Sequence, residues 1–194
     1  MGTTKKKKLP ESLFPFKHLI DSSNNQSFLL RFHPASELTT LNQIAGNPFV
    51  DQCNPIPKDN NGKDMLLLAQ IDFGEIPLQQ PFPVNGIVQF FVNEDFGKQH
   101  FHSQNEHFFV RYIEQSVINE KIQTPYSDTK RLASAPIPYK FSGISKIEPV
   151  SSFDYRYETY FNGFNEIIFE DERTFHEIYT ICYLGAEHKI GGYP

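Results

Sequence analysis

The chain has no tryptophan and only two cysteines and two methionines in 194 residues. Cys53 falls in a Pro- and Asn-rich loop and Cys182 on a predicted helix. Their spacing matches no metal or redox motif, which excludes a disulfide framework and points to free thiols in a reducing compartment. Long apolar runs are also missing. The longest, such as Met65-Leu66-Leu67-Leu68-Ala69, falls far short of the roughly 20 residues that span a bilayer. The lysines at positions 5–8 lead into Leu9-Pro10-Glu11 rather than an apolar stretch, so no secretory signal is legible and the expected location is cytoplasmic. Asn25-Gln26-Ser27 is then a sequon in letters only. Gly2 invites a myristoylation reading, but Lys6 stands where Ser or Thr is needed. Basic excess is lacking as well. The formal net charge is -5, which argues against a general nucleic-acid surface, and the four lysines form a solvated tail.

What is abundant is the aromatic ring, with 19 Phe and 9 Tyr. A core built on rings gains a large apolar area per residue, and the length suits one domain. Residues 1–10 read as a disordered basic lead-in and 11–194 as a single domain. Pro15 shortens or kinks any helix over 11–20. Strands are predicted at 28–32, at 65–71 as a run buried on both faces, at 86–92, at 108–113 and at 139–147. One helical turn is expected at 36–41. Near the C-terminus the period changes. Phe175, Ile178, Tyr179 and Cys182 share one helix face, with Asp171 as expected N-cap and Gly185 as stop. Strands followed by helical matter indicate a mainly β, α+β fold.

A short motif occurs twice. Ile44-Ala45-Gly46-Asn47-Pro48-Phe49 and Ile190-Gly191-Gly192-Tyr193-Pro194 share Ile, a small residue, Gly, a free position and Pro. Such a segment signals chain reversal. The first copy leads into strand-like sequence, and the second stands at the last residue. The expectation is therefore a domain cut inside a repeat.

Three stretches in order resemble the YwqG-like family, a group of domains of unknown function. They are Met65-Leu66-Leu67-Leu68-Ala69-Gln70-Ile71-Asp72 through Ile76-Pro77, then Gly86-Ile87-Val88-Gln89-Phe90-Phe91, then His188-Lys189-Ile190-Gly191-Gly192-Tyr193-Pro194. The likeness covers residues 28–194. The first reversal motif fits too, with Ala45-Gly46 where family members usually carry two glycines. The resemblance implies a β-roll-like sheet with a few helices, in a two-half duplicated architecture of which the second half is largely missing here. It implies no catalytic residue.

Polar residues inside apolar strands are the first site candidates. Gln70, Asp72 and Gln89 read either as groups satisfying backbone at strand ends or bulges, or as the polar lining of a ligand pocket between the halves. His100, His102 and His107, near Glu94, Asp95 and Glu106, are the candidate metal ligands, although their spacing matches no established motif. Asp154-Tyr155-Arg156-Tyr157-Glu158 reads as a solvated helix start. No nucleophile–base pair or phosphate loop is legible.

These observations favour a non-enzymatic protein-binding module with no cofactor, whose partner is another protein rather than nucleic acid or membrane. The oligomeric state is open. The alternative is a small-molecule or metal-dependent enzyme or binder, with a site between the halves.

Overall fold

The structure, a computed structural model, describes residues 8–34, 41–78, 81–95, 107–114, 138–184 and 187–192. It is α+β and mainly β: among these residues seven strands pair antiparallel and the helices are few and short. No helix among the described residues is long and apolar enough to cross a membrane. The chain divides into two compact units, one of residues 31–143 and one of residues 1–30 with 144–194. Strands β1 (Asn25–Pro34) and β6 (Tyr139–Glu148) contribute residues to both.

The unit of residues 31–143 is built on β2 (Gln43–Ile44), β3 (Leu66–Asp72), β4 (Ile87–Val92) and β5 (Phe108–Ile113). Its strand order is β5-β4-β3-β2-β6. The run predicted to be buried on both faces is asymmetric: Met65, Leu67 and Gln70 are buried, whereas Leu66, Leu68, Ala69 and Ile71 are half-buried. A bulge explains the pattern. Leu67 pairs with Phe91 and Ala69 with Phe90, so Leu68 is an extra residue and the alternation shifts by one. Without it, the face holding Leu67 would continue through Ala69 and Ile71. With it, Gln70 turns onto the dry face opposite Gln89. That face also carries Ile87, Ile113 and Phe49 in one cluster and Met65, Leu67 and Phe91 in another. At the entry to β4, Gly86 has φ +90 and lies under the Tyr112 ring, whose hydroxyl donates to Asn85 O at 2.7 Å. Only glycine combines that dihedral with that approach.

In the other unit β1 lies between β6 and β7 (Lys189–Gly191), with Ser27 opposite Gly191 and Leu29 opposite Lys189. Pro15 falls inside a 3-10 helix, Glu11–Phe16, which hands over to α1 (Lys17–Ser22). Two further helices follow, α2 (Tyr157–Phe161) and α3 (Phe175–Cys182). The predicted stripe on α3 packs inward, with Phe175 and Tyr179 at 0% and Ile178 at 2% exposure. The core is aromatic: Phe161 lies 4.7 Å from Tyr179 and 5.5 Å from Phe175, and Phe16 lies 4.8 Å from Phe175, centroid to centroid. Edge and tilted contacts of this kind exploit the ring quadrupoles.

The expected N-cap moves. Thr174, not Asp171, caps α3, and Glu177 completes a reciprocal capping box. The Asp171 carboxylate is instead engaged by Arg173. Asp154 departs from the solvated reading as well. It is buried, and Arg156 folds back on it through Nε at 2.9 Å and Nη2 at 2.8 Å, because residues 151–156 form a turn rather than helix. The expected turn at 36–41 lies, except for its last residue, outside the described residues, as do Gly185 and residues 1–7 of the lead-in.

The two copies of the reversal motif share a pair of consecutive positive φ values. Ile44 closes β2 and is followed by Ala45 at φ 57 and Gly46 at φ 81. Ile190 sits in β7 and is followed by Gly191 at φ 71 and Gly192 at φ 69. Two consecutive positive φ values are what a type I′ reversal demands.

Candidate functional site: a polar row under a peptide strap

Five strands of the sheet unit place polar residues opposite one another. The register aligns Lys140 with Gln43, Gln43 with Gln70, Gln70 with Gln89, and Gln89 with Arg111. Gln43, Gln70 and Gln89 are each at most 1% exposed. Buried amides need partners, and these find them at Asn47 and Phe49 of the first reversal motif and at Leu41 just before it. The Phe49 N–H donates to Gln70 Oε1 at 2.8 Å, and Gln89 Nε2 donates to Phe49 O at 2.8 Å. Gln70 Nε2 donates to Leu41 O at 3.0 Å, and Gln43 Nε2 donates to Asn47 O. Gln89 Nε2 also donates to Gln70 Oε1 at 2.5 Å, coupling the two side chains.

Arg111 extends the row. Its Nε donates to Gln89 Oε1 at 2.6 Å, Nη1 to Pro55 O at 2.6 Å and Nη2 to Asn54 O at 3.2 Å. The guanidinium lies 5.2 Å from the Phe91 ring centroid. Burial lowers its pKa, partly offset by the charge of Asp51. Phe49 is 4% exposed and its ring packs with Ile87 and Ile113, with Leu41 alongside. Residues 47–55 thus form a strap held on the sheet through main-chain atoms at Asn47, Phe49, Asn54 and Pro55. Between those anchors Asp51 Oδ1 accepts from Cys53 N and Asn54 N, closing a local turn.

The three ligand candidates separate. Gln70 and Gln89 meet in the row. Asp72 does not join it: its Oδ1 accepts from Gly74 N at 2.8 Å and caps the 3-10 turn Phe73–Glu75. Of the metal candidates, His100 and His102 lie outside the described residues. His107 is half-buried immediately before β5, with Asn93 Nδ2 at 3.0 Å from its Nδ1. No group of three His, Cys, Asp or Glu able to hold a metal occurs among the described residues. Gln43, Phe49 and Arg111 join the site with no binding motif in the sequence to mark them. The usable signal for Arg111 was a lone charge inside Phe108-Phe109-Val110-Arg111-Tyr112-Ile113.

The other unit carries a charged cluster. The Glu148 carboxylate accepts from Lys189 at 2.5 Å and lies 3.0 Å from Lys146, which also donates to Glu187 at 2.5 Å. Burial disfavours the ionised Glu148, but the hydrogen bonds from Lys189 and Lys146 outweigh it and hold the carboxyl below the usual glutamate range. For Asp154, the hydrogen bonds from Arg156 dominate over burial and lower its pKa.

A family model described as a domain of unknown function (DUF1963) matches residues 42–194. Comparison with curated proteins finds no match.

Proposed function

The chain belongs to the DUF1963, YwqG-like family, and we propose that it is a non-enzymatic module that binds another protein. One observation carries this reading: β5 presents Phe108, Val110 and Tyr112 on one face at 49%, 48% and 45% exposure. Three large apolar side chains in a row on a strand are a contact surface of the kind that marks protein partners. The buried amides of Gln70 and Gln89 engage the chain's own backbone, which fits a binding scaffold. A reducing, cytoplasmic setting suits the two free thiols Cys53 and Cys182.

The test is affinity capture with the purified full chain, followed by the same experiment with Phe108→Ser and Val110→Ser combined. The expected result is a partner protein recovered at a fixed stoichiometry and lost with the double substitution. Capture of a small molecule alone, with no protein at stoichiometric level, contradicts the proposal.

A further inference from the structure

The strap over the polar row is held in an unusual way. Gln70 and Gln89 grip both the N–H and the C=O of one residue, Phe49, as a neighbouring β-strand would. The Phe49 ring enters the apolar cluster with Ile87 and Ile113. Pro48 is buried beside it, and Arg111 holds the far end by two carbonyls. Main-chain bonds tolerate any sequence, so selectivity rests on the proline and the ring. Between 47 and 57 only Pro48 and Phe49 are buried, and Gln52, Cys53 and Pro55 are exposed. A segment with so few buried side chains, anchored by side-chain hydrogen bonds, opens more cheaply than the sheet beneath it.

We propose that the face of β3, β4 and β5 bearing Gln70, Gln89 and Arg111 is a peptide-binding groove. It is occupied by the chain's own segment 47–55 and open to an extended proline–aromatic peptide of a partner protein. This face is the opposite one to Phe108, Val110 and Tyr112, by strand alternation. The groove and the β5 surface therefore stand or fall separately. The occupant is identified by what already sits there: a main chain that offers its N–H and C=O to Gln70 and Gln89, with proline followed by a ring. Recognition is by displacement, so the strap acts as a built-in competitor.

The experiment uses the full chain with Phe49→Ala, which loosens the strap, and a fluorescent synthetic peptide with the sequence of residues 45–57. Fluorescence anisotropy is expected to show saturable binding, at least about tenfold tighter than to the wild-type chain, whose strap competes. Replacing the peptide's phenylalanine by alanine is expected to weaken binding about a hundredfold, and adding Gln89→Ala to the chain about tenfold. A folded Phe49→Ala chain that binds no peptide, or binds equally well with Gln89→Ala, overturns the groove. Should Phe49→Ala fail to melt cooperatively, hydrogen exchange in the wild-type chain decides. Exchange of the Phe49 amide at least tenfold faster than the paired amides of β4 supports an opening strap. Equal rates refute it, because the strap then leaves only when the sheet unfolds. A stoichiometric partner whose capture survives Gln89→Ala leaves the module reading intact and removes the groove.

Discussion

Gln89→Leu tests whether the polar row stabilises the sheet or merely fills it. Leucine nearly conserves volume, so the cavity contribution is small. What disappears is chemistry. Gln89 Nε2 no longer donates to Phe49 O, and Gln89 Oε1 no longer accepts from Arg111 Nε. A buried carbonyl left without a donor costs about 1–3 kcal/mol, and a lost bond to a charged group about 1.5–3 kcal/mol. Leucine's extra apolar burial returns about 1 kcal/mol. The expected loss is roughly 3 kcal/mol, or about 10 °C in Tm for a chain of this size. Urea denaturation followed by circular dichroism gives the free energy, and a thermal melt gives the shift. Combining Gln89→Leu with Arg111→Met removes both partners of one bond. The double variant is expected to lose about 1–2 kcal/mol less than the sum of the singles. A Gln89→Leu chain within about 0.5 kcal/mol of wild type, or more stable, refutes the claim that the row contributes through its hydrogen bonds.

Gly86→Ala forces an L residue to φ +90 and sets its Cβ 2.6 Å from Tyr112 Cζ. The expected cost is about 2–4 kcal/mol, seen as a lowered melting temperature. Thr174→Ala removes the α3 capping box and is expected to cost about 1 kcal/mol in urea denaturation. Glu148 has its pKa lowered from 4.5 in the folded chain, so it contributes stability above that value, and the contribution is lost as pH falls through the folded pKa. Glu148→Gln is therefore expected to flatten the acid limb of stability below about pH 4.5, measured by urea midpoints across pH, and an unchanged slope contradicts the assignment. The same substitution also removes one acceptor that raises the pKa of Lys146, whose contribution is present below 10.5 and is lost as pH rises through its folded value.

Strand positions were legible because β-prone runs and turn residues alternate cleanly, and the α3 stripe because its period changes to that of a helix. The side on which Gln70 faces was not legible. Counting by twos from Met65 groups Leu67 with Ala69 and Ile71, and nothing local announces that Leu68 is an extra residue. The partners of Arg111 were out of reach for another reason: Pro55 lies 56 residues upstream. The strap itself looked like an ordinary loop, since its anchors are carbonyls and amides that every residue possesses. The capping box at Thr174 was present in letters, Thr174 and Glu177 three apart, but Asp171 offered a competing cap. Only the structure shows Arg173 engaging that carboxylate.

The Ala45 position shows what the first reversal motif accomplishes. An L residue in the left-handed region costs about 1–2 kcal/mol relative to glycine. Ala45 accepts that at φ 57 while its methyl is buried against Val92, Leu66 and Leu68, which returns about 0.8 kcal/mol. The near balance leaves the direction of the turn as its main consequence: it sends residues 47–55 back across the row. Once there, the strap's main-chain donors and acceptors take up hydrogen-bonding capacity that the row's contacts among themselves leave over. A group whose donors and acceptors are matched to backbone favours a ligand that presents backbone. Gln70, Gln89 and Arg111 each present side-chain atoms matched to main-chain groups of residues 49, 54 and 55, and that match is what the proposed groove rests on. The same hydrogen bonds that stabilise the sheet are the ones a peptide entering the proposed groove would have to reproduce.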